Sequence, residues 1–241
     1  MQPVQQQTGQ GRETAPEPMR RRISNFLSHT VDRFRIALWV VLIAAAVFLV
    51  GYLIYSEVNK KLVSDAALMV ETAQGVYDKW QGETDAAKKA PLEKDLLDRL
   101  NRVISRYPRQ YGGQRALFLR AEVSYSKKEW DAAAKDYTSL AARFSKSYLA
   151  PVSLFDAAVC LEEKGDKDQA QKLYTQVYTS YKDSTVAPRA LFNAARLDEA
   201  KSAWTDAQKK YDQVESLYGQ SAWTKLAQDR VVELKVQGKI K

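Results

Sequence analysis

Hydrophobic positions follow three different rhythms along this chain of 241 residues. From Ile36 to Tyr55 they are continuous: "IALWVVLIAAAVFLVGYLIY" contains no charged residue. Before that run, Ile23, Phe26, Leu27, Thr30, Val31 and Phe34 fall three and four apart, which places them on one face of a helix. After it, the same amphipathic phrase recurs: "ALFLRAEVSYSKKEWDAAAKDY" starts at Ala116 and "ALFNAARLDEAKSAWTDAQKKY" at Ala190. A further copy lies between them. Leu117, Leu154 and Leu191 are evenly spaced, as are Phe118, Phe155 and Phe192, then Ala121, Ala158 and Ala195. So are Ala133, Ala170 and Ala207, and Tyr137, Tyr174 and Tyr211, all at a period of 37 residues. Leu140, Val177 and Val214 follow, then Phe144, Tyr181 and Tyr218. A fixed period in this range marks stacked supersecondary units.

Each unit predicts two antiparallel helices. The first carries Leu, Phe and Ala on one face, with Pro151 and Pro188 expected at its first position, where a missing N–H costs nothing. A polar turn follows. In the middle copy it reads "EEKGDKD", with Gly165 able to take a positive φ. The second helix repeats Ala, Tyr, Leu and Phe at steps of four, three and four, as in Ala133, Tyr137, Leu140 and Phe144. Small Ala residues let the paired backbones approach, and the aromatic rings fill the space to the next unit. One pair cannot bury its apolar face alone, so the units must stack.

The same offset extends backwards to Leu96, Leu100, Val103 and Tyr107, a second-helix face ended by Pro108. Its partner is expected to be a long helix over about 58–80, continuous or not with the apolar run, with "QGETDAAKKAP" as the connecting loop. After the last unit, "SAWTKLAQDRVVELKVQGKIK" reads as a capping helix with Leu226 and Val231 as its apolar positions and a polar outer face.

The 20-residue run from Ile36 reaches about 30 Å as a helix, the thickness of a hydrocarbon core. Trp39 lies near one end and Tyr52 and Tyr55 near the other, where amphipathic rings favour the interface. A buried core helix of this length would carry a polar face. A cleaved signal would be shorter and would end in a small-x-small site, whereas "SEVNKK" follows here. Arg20, Arg21, Arg22, Arg33 and Arg35 precede the span and only Lys60 and Lys61 lie as close after it, which puts the preceding segment in the cytoplasm and the repeats outside it. The basic helix over 19–35 could rest on anionic lipid or on a membrane partner. Residues 1–18 are rich in Gln, Gly and Pro and are expected to be disordered.

Charge changes this picture little. The net formal charge of +8 comes from 37 basic and 29 acidic residues that are interspersed, without the basic stripe of a nucleic-acid binder. One Cys and one His leave no disulfide within the chain and next to no Cys/His metal site. Cys160 aligns with Val123 and Leu197 and reads as a core residue. Trp130 and Trp204 share one repeat position with Lys167, at the start of the second helix, and read as packing residues. Asp166–Lys167–Asp168 lacks the Gly and distal Glu of a calcium loop and reads as a helix-capping turn. No phosphate loop, nucleophile elbow or paired His occurs, so neither a catalytic residue nor a cofactor is expected.

The spacing of small and large residues resembles the tetratricopeptide repeat. With Ala133 on the small position late in the unit, Ala121 falls on the small position of the first helix, Leu117 on the first large position and Tyr137 four after Ala133. The first-helix aromatic usual in that family is replaced by Ser124, Leu161 and Asp198, and the three extra residues of the period, at 148–150 and 185–187, are expected to lengthen each first helix by about a turn. The predicted fold is therefore all-α: one N-terminal transmembrane helix followed by a tetratricopeptide-like solenoid of helix pairs. Its segments are a tail at 1–18, a basic juxtamembrane helix at 19–35, the span at 36–55 and a connecting helix with a degenerate repeat at 56–110. Repeats follow at 111–147, 148–184 and 185–221, then a cap at 222–241. In such a solenoid first helices line the concave side, where Arg115, Glu122, Tyr125, Glu162, Arg189, Arg196 and Glu199 are expected to remain available to a protein partner.

An N-terminal span followed by an extracytoplasmic repeat domain is similar in architecture to the ancillary subunits of the bacterial Sec translocon. That resemblance implies an inner-membrane scaffold near the translocon and a membrane-anchored periplasmic chaperone, although this chain departs from that family in being basic. Two alternatives stay open: an envelope-assembly or cell-division scaffold similar to the periplasmic coordinator of the Tol–Pal system, and an organelle import receptor whose repeats face the cytosol.

Overall fold

The computed structural model describes the backbone of residues 19–241, with side chains from Phe34 onward except Ile36. The expected disordered tail, and the side chains of Arg20, Arg21, Arg22 and Arg33, lie outside the described residues. Among the described residues every regular element is an α-helix: α1 (Met19–Gly82), α2 (Ala86–Arg106), α3 (Tyr111–Ser126), α4 (Trp130–Arg143), α5 (Leu149–Glu163), α6 (Lys167–Ser180), α7 (Ala187–Ala200), α8 (Trp204–Tyr218) and α9 (Ala222–Val236). The chain divides into two units, residues 1–59 and 60–241.

In the first unit, the apolar part of α1 is long and apolar enough to cross a membrane, with none of its most apolar window buried. Phe48 is 77 % exposed and Val47, Ile43 and Tyr55 are similarly uncovered. Water is a poor solvent for such a surface, which makes this stretch a candidate membrane span.

The second unit begins with the remainder of α1. Ala66, Val70, Ala73, Tyr77 and Trp80 alternate steps of four and three and pack with Leu96, Leu100, Val103 and Tyr107 of α2 and its cap and with Ala116, Leu119 and Val123 of α3. The start of α3 sits so close to α1 that a Cβ on Gly112 would lie 2.5 Å from the Ala66 carbonyl oxygen, and one on Gly113 would lie 2.0 Å from that of Tyr107. Only glycine allows this approach. From α2 onward each helix packs against the next, α2 on α3 through to α8 on α9, and α9 also touches α7.

The repeat is visible in three-dimensional detail. Phe118 meets Tyr137 with ring centroids 5.5 Å apart, Phe155 meets Tyr174 at 5.3 Å, and Phe192 meets Tyr211 at 5.3 Å. The three phenylalanines therefore occupy equivalent surroundings, each sealing its hairpin with the tyrosine of the second helix. Ala133, Ala170 and Ala207 are fully buried, as are Leu140, Val177 and Val214. Tyr107, Phe144 and Tyr181 each cap a second helix with φ near −130° and a backbone N–H returned to the residue four earlier. The turns between paired helices recur as well: Lys128, Gly165 and Ser202 take φ of 60°, 95° and 61° at one repeat position. Glycine supplies this conformation without steric cost in the middle turn, whereas the other two bear a Cβ there. Lys127 reaches back to Glu93 at 2.7 Å, Lys164 to Asp131 at 2.5 Å and Lys201 to Asp168 at 2.5 Å, so each turn ties to the hairpin before it.

Several expectations are corrected. The "QGETDAAKKAP" segment is not a long loop: α1 continues through Gly82, and Asp85 caps α2 by accepting from the Ala87 N–H at 2.9 Å. Pro91 thus lies inside α2. Pro151 and Pro188 are the third and second residues of α5 and α7 rather than the first, still within the turn whose N–H groups lack helical acceptors. The three added residues lengthen α5 by two, Leu149 and Ala150, and α7 by one, Ala187, and the rest form the turn. In α9 the buried positions are Thr224, Ala227 and Leu234, with Val231 packed alongside. Leu226 is 48 % exposed, and with Val232 and Val236 it leaves the outer face partly apolar.

The first-helix face and a cleft in it

Successive first helices, α3, α5 and α7, contribute the side chains expected to face a partner. Arg115 of α3 donates to Gln74 of α1 at 2.8 Å. Glu162 of α5 accepts two hydrogen bonds from Arg196 of α7, at 2.6 and 2.7 Å, and one from the Tyr174 hydroxyl at 3.2 Å. One repeat later, Glu199 of α7 accepts from the Tyr211 hydroxyl at 2.7 Å and from Arg230 of α9 at 2.5–3.0 Å. These two arrangements are one device used twice: a tyrosine, a glutamate twelve residues before it, and an arginine from the following unit. Glu199 is only 8 % exposed, so it is committed to the fold rather than available. Burial pushes its carboxyl up, but hydrogen bonds from Arg230 and Tyr211 outweigh this and hold it below the usual range.

The remaining three expected residues, Glu122, Tyr125 and Arg189, come together at one place. They line a cleft of about 320 Å³ with Tyr77, Gln81, Ser126, Tyr137, Phe155, Asp156 and Val159. Tyr125 stacks edge-on against Trp130 at 5.3 Å, and the Arg189 guanidinium lies 4.5 Å from the centre of the Phe155 ring. Burial raises the Glu122 carboxyl, opposed by hydrogen bonding from Tyr77 and by Arg115. Tyr77 itself is pushed up to about 12 by burial and by Glu122. The Asp156 carboxyl is raised to about 7, first by burial and then by the nearby Glu122 charge, with Arg189 pulling the other way. Asp156 and Tyr137 were not among the expected residues. The signal was available: Asp156 shares a repeat position with Leu119 and Asn193, so a carboxylate there breaks the pattern.

Other groups offer little chemistry. Cys160 is fully buried and its thiol is pushed up to about 12 by burial and by Asp156, which makes it inert as a nucleophile. Asp166 accepts from the Gln169 N–H at 3.1 Å and so caps α6, as its place in the turn suggested. Trp130 and Trp204 begin α4 and α8, where Trp130 packs on Tyr125 and Lys239 lies 4.9 Å over Trp204.

A tetratricopeptide repeat family model matches residues 115–147 and 152–184. These are the first two of the three copies, offset by the 37 residues that separate Phe118 from Phe155. No curated protein matches the chain. Matched repeats, equivalent Phe–Tyr pairs and an all-helical stack lead to one conclusion: the second unit carries tetratricopeptide-like repeats, a fold of the protein-interaction class.

Proposed function

We propose that this protein is a non-enzymatic, membrane-anchored scaffold whose repeat domain binds partner proteins on its first-helix face outside the cytoplasm. The observation that carries this reading is the cleft between α3 and α5. There the face is lined by aromatic and charged side chains that the fold leaves without the ion pairs made elsewhere along it. Aromatic and charged side chains in a concave site are the usual anchors of recognition. The anchor is the 20-residue apolar run, and the basic residues Arg20, Arg21, Arg22, Arg33 and Arg35 before it favour a cytoplasmic leader. Its likeness in architecture to ancillary translocon subunits favours an inner membrane, with the repeats in a bacterial periplasm and emerging or chaperoned chains as partners.

Topology is tested by placing a cysteine at exposed Gln176 and labelling intact spheroplasts with a membrane-impermeant maleimide; buried Cys160 serves as the silent background. Labelling without lysis is expected, and labelling only after lysis contradicts the assignment. Purification in mild detergent then separates the partner readings: translocon subunits support the first, and Tol–Pal or division proteins the alternative.

A further inference from the structure

We infer that the cleft between α3 and α5 receives an arginine or lysine side chain from a bound polypeptide; this rests on the reading of the first-helix face as a protein-binding surface. Comparison between repeats shows what the cleft lacks. Tyr125, Glu162 and Glu199 share one repeat position, and Glu122, Val159 and Arg196 share another. Between the second and third repeats, Glu162 takes the Tyr174 hydroxyl and the Arg196 guanidinium. Between the third repeat and α9, Glu199 takes the Tyr211 hydroxyl and the Arg230 guanidinium. Between the first and second repeats both ionic partners are replaced: Tyr125 stands where the glutamate belongs and Val159 where the arginine belongs. The third member of the device is still present. Tyr137 is the equivalent of Tyr174 and Tyr211, is only 3 % exposed, and lines the cleft. Among the described residues its hydroxyl has no hydrogen-bond partner, whereas those of its two equivalents do. Unlike the sealed Ser153 and Tyr218 hydroxyls, it is not shut away from solvent: it lines the cleft, where an incoming group can reach it.

Negative charge is supplied from new positions. Asp156 lines the cleft with no hydrogen bond or ion pair to its carboxylate among the described residues, and Glu122 lies across from it. Tyr77, Tyr125, Tyr137 and Phe155 add aromatic surface to the walls. Two carboxylates within aromatic walls suit a guanidinium or ammonium group, through charge-assisted hydrogen bonds and contact with the ring faces. The volume of about 320 Å³ admits one long side chain. Arg189 lines the cleft without filling the role: it rests on the Phe155 ring, acts on Asp156 only through space, and makes no salt bridge with either carboxylate. The cleft thus awaits, from another chain, the cation that Arg196 and Arg230 supply at the other two junctions. Arginine is favoured over lysine because its flat guanidinium can stack and bond at once.

Acidity should control this binding. The charged and titratable groups around Asp156 are Tyr77 from α1, Glu122 and Tyr125 from α3, Tyr137 from α4, Cys160 and Glu163 on α5 itself, and Arg189 from α7. Tyr77 and Cys160 titrate near 12 and the other two tyrosines are also raised, so none of them changes charge near neutrality. Asp156 loses its proton as pH rises through about 7. A cationic side chain then gains its counter-ion, and affinity increases.

The test presents the full chain in lipid nanodiscs to immobilised degenerate peptide pools whose central residue is fixed as Arg, Lys, norleucine or Glu. At pH 8 the Arg and Lys pools should be retained about tenfold better than the norleucine pool, and this advantage should shrink to about twofold at pH 6. Asp156→Asn should remove both the preference and its pH dependence. The pair Tyr125→Glu with Val159→Arg rebuilds the internal device and should abolish the preference, while circular dichroism reports an intact fold. Equal retention of the four pools, or preference for the Glu pool, overturns the inference and leaves the first-helix face standing as a binding surface. Retention of no pool also overturns it; photo-crosslinking at this face then decides separately whether the surface binds protein at all.

Discussion

The junction between the first and second repeats and the junction between the second and third are built from the same positions and have opposite characters. In the later one, Glu162, Tyr174 and Arg196 close on one another across 2.6–3.2 Å. In the earlier one, Tyr125, Tyr137 and Val159 occupy those positions and a cleft remains. Both keep the same apolar seal of Phe on Tyr, at 5.5 and 5.3 Å. Stacking therefore does not need the ionic device, since the buried Ala, Leu and Tyr faces already join the units. What differs between the two junctions is whether the first-helix face is closed by its own side chains or keeps a cleft.

Breaking the satisfied kind of junction should give the largest effect. Glu199→Gln removes the charge that holds Arg230 and Tyr211, and should cost about 2–3 kcal/mol in denaturant unfolding of the full chain. Because the folded-state carboxyl is held below its usual range, this stabilisation is present above the unfolded value and fades as pH falls through the folded one. The open junction should respond in the opposite sense. Asp156 is raised to about 7, so from about pH 4 to 7 the folded state binds the extra proton and stability falls as pH rises. Asp156→Asn should accordingly stabilise the protein by about 2 kcal/mol at pH 8 and by almost nothing at pH 4, read from urea midpoints at the two pH values. A variant that loses stability at pH 8 would show that Asp156 serves the fold and not a ligand.

Smaller changes sharpen the comparison by making the repeats more alike. Lys128 and Ser202 hold φ near +60° where the middle repeat has Gly165. Lys128→Gly and Ser202→Gly should each raise stability by up to about 1 kcal/mol, relief of the Cβ clash exceeding the added entropy of the unfolded chain. Gly165→Ala should do the reverse. Ser153 is fully buried with an unpaired hydroxyl, while its equivalents Ala116 and Ala190 have none to satisfy. Ser153→Ala should therefore stabilise by about 0.5–1 kcal/mol, seen as a small rise in Tm.

Periodicity made most of this fold legible in the sequence. Leu, Phe, Ala and Tyr at 37-residue intervals predicted the hairpins because burial demands the same side chains at the same places each time. The α1–α2 connection was misjudged because Gly, Thr and Asp near the turn outweighed the helix-forming "AAKKAPLEK" that follows; Asp85 caps α2 early. Glu199 and Glu162 were expected to be available because their partners, Arg230 and Arg196, lie 31 and 34 residues away, beyond what one helix face reveals. The cleft escaped notice for a related reason. It is made of departures from the repeat, at Tyr125, Asp156 and Val159, and the search for a period sets departures aside.

The scaffold reading is tested most directly by photo-crosslinking in intact cells. A benzophenone amino acid is placed at Tyr125 of α3, on the cleft, and in a separate variant at exposed Gln176 of the second helix α6. Discrete protein adducts at position 125 and none at 176 are predicted, with the former lost in the Val159→Arg background. Adducts from Gln176 alone, or equal and diffuse adducts from both positions, would contradict the assignment of the first-helix face as the binding surface.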